Sequence, residues 1–188
     1  MAECESACIV WKGLMREQPA GKPSALEAFS MVLLGRADRY LLLRRAETKR
    51  FAPGRWTGVG GRIEAREFSD LWGAALREVR EETGITAAEI TDFTLRRVLL
   101  QARPGERLTV LLYFTGSLAA PVLPSSTEGT LGWVTVEELG RLDIIENTRL
   151  VIQLLIEDAR RDPAGHEPVR VGVAHFRQNG ELAQIAWA

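Results

Sequence analysis

Residues 60–85 read GGRIEAREFSDLWGAALREVREETGI and end in a helix whose carboxylates sit where a helix disfavours them. Glu78, Glu81 and Glu82 fall at i, i+3 and i+4 on one helical face, which costs roughly 0.2–0.5 kcal/mol per like-charged pair. Arg77 lies four positions before Glu81 and relieves it. No basic residue stands three or four positions from Glu78 or Glu82; apart from glutamates, those places hold Ala74, Ala75, Val79, Ile85 and Thr86. A hard divalent cation would supply the missing charge, because Mg²⁺ and Mn²⁺ prefer carboxylate, carbonyl and water oxygens. Ser69 or Asp70 can cap the helix, Leu71, Ala75 and Val79 form its apolar stripe, and Gly84 can end it in the left-handed conformation. With that stripe against the core, the carboxylates are expected to face away from it.

Upstream, AFSMVLL (residues 28–34) and YLLLRR (40–45) read as two buried strands of a hairpin that turns at residues 35–38. Residues 48–61 form a Gly- and Arg-rich loop, and long loops in compact domains tend to be functional. Downstream, strands are expected at residues 94–102, 108–117 and 130–134, with a turn at RPGE and a loop at 121–129. Residues 147–160 show helical spacing in Leu150, Leu154 and Ile156. VRVGVAHF and LAQIAWA flank Asn179-Gly180, a strong hairpin signal. The chain thus divides into an N-terminal extension (1–26, linker-like, with room for a short strand at 9–11), a main domain (27–161) and an appended hairpin (162–188). The hairpin reads either as an added sheet edge or as a contact between two copies. Strands interleaved with two helices place the fold in the α/β (α+β) class, a mixed sheet sandwiched between helices.

A chain of 188 residues suits one domain with modest extensions. Its 24 basic and 25 acidic residues leave a net charge of −1, against the basic excess that a nucleic-acid or membrane surface requires. Small anionic substrates remain compatible. The opening MAECESACIVWKG has no basic region followed by a long apolar core, and no apolar run approaches the ~20 residues of a spanning helix, so the expected compartment is the cytoplasm. Cys4 and Cys8 lie at one end and His166 and His175 at the other, which argues against a structural zinc site. No Gly-x-Ser-x-Gly or other nucleophile signature appears.

Residues 60–85 also resemble the signature of the Nudix hydrolases: a glycine, five residues, Glu, seven residues, then Arg-Glu-apolar-x-Glu-Glu-x-Gly-apolar. Arg77, Glu78, Val79, Glu81, Glu82, Gly84 and Ile85 match the second half, and Gly61 with Glu67 match the first. Nine residues, 68–76, separate the halves where the family has seven. Counting back from Arg77 puts Ser69 in the glutamate position. We read this as a two-residue insertion ahead of the helix, which leaves the role of Glu67 open.

The resemblance implies a Nudix fold over residues 27–160 and hydrolysis of a diphosphate linkage with Mg²⁺, or alternatively Mn²⁺, and no other cofactor. It makes Glu78 and Glu82 the main metal ligands, Glu81 a further ligand or outer group, and the Gly60 carbonyl an added oxygen. Arg77 would orient a carboxylate. The base is Glu128, which resembles a downstream loop glutamate of some MutT-type members, or Glu67. Arg44, Arg45, Lys49, Arg50 and Arg55 precede the glycines and suit phosphates as well as they suit a solvated loop. RFAPGRWTGVGG resembles nucleotide-sanitising MutT relatives, with Thr57 in place of their asparagine. Trp56 or Trp133 would stack on a base or pack in the core. These features favour a small-molecule nucleotide, specifically a nucleoside triphosphate with oxidised purines such as 8-oxo-dGTP in view, and no nucleic-acid or membrane partner; a homodimer stays open. The alternatives are ADP-ribose, coenzyme A or a dinucleoside polyphosphate as substrate, or an inactive ligand-sensing module. LLQARP, with Pro104 late and no tyrosine, disfavours the ADP-ribose and dinucleotide subclasses.

Overall fold

The computed structural model describes residues 26–102, 107–119 and 126–188. Cys4, Cys8, the strand expected at 9–11, the RPGE turn with Pro104, and residues 121–125 of the expected loop lie outside these. The described strands are β1 (Glu27–Arg36), β2 (Arg39–Arg45), β3 (Trp56–Thr57), β4 (Arg62–Ile63), β5 (Ile90–Gln101), β6 (Thr109–Leu118), β7 (Gly129–Thr135), β8 (Arg170–Phe176) and β9 (Leu182–Trp187). The helices are α1 (Leu71–Thr83), α2 (Val136–Leu139) and α3 (Glu146–Arg161). All strands join one mixed sheet in the order β3-β2-β1-β6-β5-β8-β9, with β4 on β1 and β7 on β2.

The near-continuous apolar run of β1 follows from its position, since a strand buried on both faces has no polar side. Val32 and Leu34 face Ala74, Ala75 and Val79 of α1, whereas Met31 and Leu33 face Val151, Ile152 and Leu155 of α3. Two cores therefore flank the sheet, one under each long helix. Asp70 caps α1, its Oδ1 accepting from the Gly73 N–H at 2.9 Å, and Gly84 ends it at φ 75° with its N–H donating to the Arg80 carbonyl. The expected stripe of α3 is rotated: Val151, Ile152, Leu155 and Ile156 are buried, while Leu150 is 47% exposed. Spacing alone admits either stripe, and the choice belongs to the sheet that α3 covers.

Two short segments depart from the expected loop at 48–61. Trp56–Thr57 pair with Leu43 and Arg44 of β2, and Val59 bridges Val32 of β1. The C-terminal hairpin extends the sheet, as the first of its two readings has it: β8 runs parallel to β5 from Arg97↔Arg170 to Leu100↔Val173, and β9 lies outside β8. A register shift between Leu95 and Arg97 marks a bulge in β5. Consecutive arginines there both find partners around the end of α3. Arg97 grips Asp158 at 2.6 and 3.0 Å and lies over the Trp187 ring, while Arg96 bonds Thr115, Asp162 and the Pro163 carbonyl. Among the described residues no helix is long and apolar enough to cross a membrane.

Candidate active site

The paired glycines are explained by what lies against them. Gly61 and Val59 hydrogen-bond Ser30 and Val32 of β1, so the loop docks along a central strand. Gly60 has φ 139°, and a Cβ there would strike the Ser30 carbonyl; a Cβ at Gly61 would strike the Glu78 carboxylate. Gly60 lets the loop lie against β1, and Gly61 lets α1 bring the Glu78 carboxylate onto the loop backbone. The Gly60 N–H donates to Glu82 Oε2 at 2.8 Å.

Contrary to the expectation that all three glutamates face away from the core, Glu82 is buried at 8% exposure and only Glu81 points outward. Burial pushes the Glu82 carboxyl up to about 7, against the pull of the Gly60 N–H, and the charges of Glu78 and Glu128 add to the rise. Burial also raises Glu78, while Arg77 pulls it back. Glu78 therefore has a basic partner after all: Arg77 Nη1 reaches Glu78 Oε1 at 2.8 Å. The i, i+3 and i+4 rule missed this pair because a long guanidinium side chain can fold back onto its immediate neighbour. Glu82 has no ion-pair partner among the described residues.

Arg77 gathers the rest. It donates to Glu67 at 2.6 and 2.9 Å, to Glu81 at 2.9 Å and to the Arg62 carbonyl at 3.2 Å. This contact drives the Glu67 carboxyl down to about 2. Glu67 ends a 3₁₀ turn (Ala65–Glu67), and Phe68, Ser69 and Asp70 lead from it to the start of α1 at Leu71. Glu67 is thus delivered to the arginine.

The donor set fits a divalent cation. Glu78 and Glu82 converge on Gly60-Gly61, Glu82 has no cationic partner, and the Gly60 carbonyl accepts no hydrogen bond among the described backbone groups. As placed, no three His, Cys, Asp or Glu side chains among the described residues form a ready cage, and Arg77 occupies Glu78.

Beside this cluster, Glu128 immediately precedes β7 next to the end of β2, its carbonyl accepting from the Ala46 N–H, and its carboxylate pairs with Lys49. Its charge is felt at Glu82. The other basic side chains are partly engaged. Arg55 bonds Asp143 and the Ile144 carbonyl, and Arg44 bonds the Gly54 carbonyl and Glu47. Trp56 lies across Gly132 with the α3-side core, whereas Trp133 packs with the α1-side core, so the two rings do not flank one base. Thr57 is half-buried in β3. The Lys49–Glu128 pair and Phe51, an exposed ring with Arg45 over it, went unread in the sequence. The available signal was an aromatic directly after Lys49 and Arg50 in a basic loop.

Residues 25–155 match the NUDIX domain, which places the chain among the pyrophosphohydrolases acting on acid anhydrides. It belongs to the NUDIX family. Among solved structures it is similar to a MutT protein from Bacillus halodurans, at 21% identity and TM-score 0.64 over 86% of this chain and 97% of that one. It is also similar to a MutT protein from Methanosarcina mazei, at 25% identity and TM-score 0.57 over 74% and 97%. A third is the dihydroneopterin triphosphate pyrophosphohydrolase of E. coli, at 24% identity and TM-score 0.56 over 69% and 95%. No curated protein matches the sequence.

Proposed function

We propose that the protein is a Mg²⁺-dependent nucleoside triphosphate pyrophosphohydrolase that releases a monophosphate and pyrophosphate. The observation that carries this reading is the buried, cation-less Glu82 beside Glu78 on the glycine loop. A divalent ion held by Glu78, Glu82 and the Gly60 carbonyl would neutralise the diphosphate and acidify an attacking water. The chain's own residues do the remaining work. Arg77 fixes the side chains of Glu67 and Glu78, and Glu81 balances it from outside. Glu128 is the favoured base, because its charge reaches Glu82 and its carboxylate is paired with Lys49 rather than with Arg77. Glu67, driven to a low pKa by Arg77, is a poor proton acceptor near neutral pH. Lys49 and Arg44 place positive charge where phosphates would enter.

The triphosphate preference draws on the likeness to the dihydroneopterin triphosphate pyrophosphohydrolase of E. coli and on the basic loop at residues 44–55. An oxidised purine such as 8-oxo-dGTP stays within the class. A hydrolysis screen over nucleoside triphosphates, oxidised deoxynucleotides, ADP-ribose, coenzyme A and dinucleotides, with products identified, tests this. Cleavage of ADP-ribose, coenzyme A or a dinucleotide with no triphosphate turned over would replace it.

A further inference from the structure

After residue 22 the chain has one lysine, Lys49, and otherwise uses arginine for its strong bases. That lysine lies in the basic loop, and its ammonium pairs with Oε2 of Glu128. Its neighbours are engaged elsewhere. Arg44 bonds the Gly54 carbonyl and Glu47, Arg45 the Phe51 carbonyl, and Arg55 both Asp143 and the Ile144 carbonyl. Among the described residues, Lys49 is the one cation of the loop in an ion pair with a carboxylate of the site.

The pair is supported by the backbone on both sides. The Ala46 N–H donates to the Glu128 carbonyl and the Lys49 N–H to the Ala46 carbonyl, each at 3.0 Å, so the turn that carries Lys49 hangs from Glu128 itself. The Glu128 N–H donates to Ser126 Oγ at 3.0 Å. A Cβ at Gly129 would strike the Arg44 carbonyl, so a glycine there lets β7 start close against β2. These contacts fix where Glu128 stands. The direction of its carboxylate is left to Lys49.

A lysine holds a carboxylate differently from an arginine. Arg77 takes both oxygens of Glu67, Nε with Oε1 and Nη2 with Oε2. The ammonium of Lys49 is a point charge and takes Oε2 of Glu128, whose Oε1 has no partner among the described residues. We infer that Lys49 is a positioning residue for the proposed reaction, anchoring Glu128 through one oxygen and leaving the other open to the attacking water. Oε1 takes a proton from that water as the water oxygen bonds to phosphorus and the bridging P–O bond breaks, its electron pair leaving with the departing phosphate. The inference rests on reading Glu128 as the base, and not on which diphosphate is cleaved.

The experiment is single-turnover mixing with dGTP, or with whichever of ADP-ribose, coenzyme A or a dinucleotide the screen above selects, which reads the chemical step apart from product release. Lys49→Met should lower the rate at saturating substrate ~10-fold and move the half-saturating concentration by no more than ~2-fold. Lys49→Arg keeps the charge but brings a fork that can take both oxygens, so it should also slow the step, by roughly 3-fold or more. Glu128→Gln should slow it ~10²-fold, and Lys49→Met should add nothing in that background, because the two act through one carboxylate. Lys49 is partly exposed, so circular dichroism should be unchanged, and Lys49→Gln replaces Lys49→Met if that variant does not fold. A raised half-saturating concentration at an unchanged rate would make Lys49 a phosphate contact alone and overturn the inference. So would a native rate in Lys49→Arg, or losses that multiply in the double variant. A native rate in Glu128→Gln would instead remove Glu128 as the base, and the role of Lys49 with it.

Discussion

Two clusters of acids and arginines are built into this molecule, at the glycine loop and at the end of α3, and they differ in how their charge is balanced. At α3, Asp158 meets Arg97 through two bonds and Arg161 through a third, while Asp162 meets Arg96 and two backbone N–H groups; those hydrogen bonds hold the Asp162 carboxyl below its usual range. At the glycine loop, one arginine serves Glu67, Glu78 and Glu81, and buried Glu82 is left with a single N–H. The first cluster is complete by itself and ties α3 to β5 and, through Trp187, to the terminal hairpin. The second is short of positive charge by construction. Buried acids of the same kind close a clamp in one place and, on the function proposed above, are left to hold a metal in the other.

The contrast breaks first at the clamp. Asp158→Ala leaves Arg97 buried and without its carboxylate, which should cost about 3–5 kcal/mol in a denaturant titration. Turnover by the folded fraction should hold, because nothing in that cluster touches the glycine loop. A cost below about 1 kcal/mol would show that the clamp is not what fastens the hairpin.

The converse holds at the loop, where Glu82→Gln or Glu78→Gln should lower turnover by ~10² or more at saturating substrate with the fold intact. Stability should move the other way for Glu82. Its folded pKa, near 7, lies above the ordinary carboxylate value of 4.5, so the folded state holds the proton more tightly than the unfolded chain. The metal-free protein should therefore lose stability as pH rises from 4.5 to 7, by up to roughly 3 kcal/mol from this group. Glu82→Gln should abolish that loss, raising the melting temperature at pH 8 and leaving it unchanged at pH 4.5. Added Mg²⁺ should raise the melting temperature of the native chain above pH 7 and do little for the variant. Equal melting temperatures of the two proteins at pH 8 without metal would remove the strained-carboxylate reading.

Glu67→Gln sharpens the comparison at a smaller scale. Glu67 touches Arg77 rather than the glycine loop, so its loss should act through the aim of Glu78 and cost ~10-fold in rate or metal affinity. Since its carboxyl titrates near 2, it is ionised throughout the working range, and the loss should be flat in pH. A loss as large as that of Glu82→Gln would put Glu67 directly on the metal.

What could be read in advance follows the range of each interaction. Asp70, Gly84 and the glutamate spacing are local, and a helix cap or a periodic carboxylate is written within a few residues. The β1–β2 hairpin and the Asn179-Gly180 turn are local too. The pairing of β8 with β5, the bulge that turns Arg96 and Arg97 toward α3, and the clasp of Arg55 on Asp143 join residues far apart in the chain. No window of sequence contains both partners. The same limit hid the burial of Glu82, because the glycine loop that covers it approaches from β1, and it made Arg55 look free for phosphate. Adjacent arginines inside an otherwise apolar strand at residues 95–100 were a readable sign of a buried ionic cluster.

The smallest expected effect concerns base choice, through Thr57. It sits half-buried in β3, paired with Leu43, at the position where the resemblance read in the sequence would expect an asparagine. A threonine offers one hydroxyl, whereas an asparagine amide offers a donor and an acceptor at once. The native chain should therefore separate an oxidised purine triphosphate from its normal counterpart by at most ~10²-fold, and Thr57→Asn should widen that ratio by up to ~10-fold in a competition assay with both substrates present. Trp56→Ala is the control for packing at the same strand, since its ring rests on Gly132 and on the α3-side core; it should lower the melting temperature with little change in the ratio. If Thr57→Asn leaves the ratio unchanged while Trp56→Ala shifts it, the base is gripped by the ring instead, and β3 reads it by stacking rather than by hydrogen bonds.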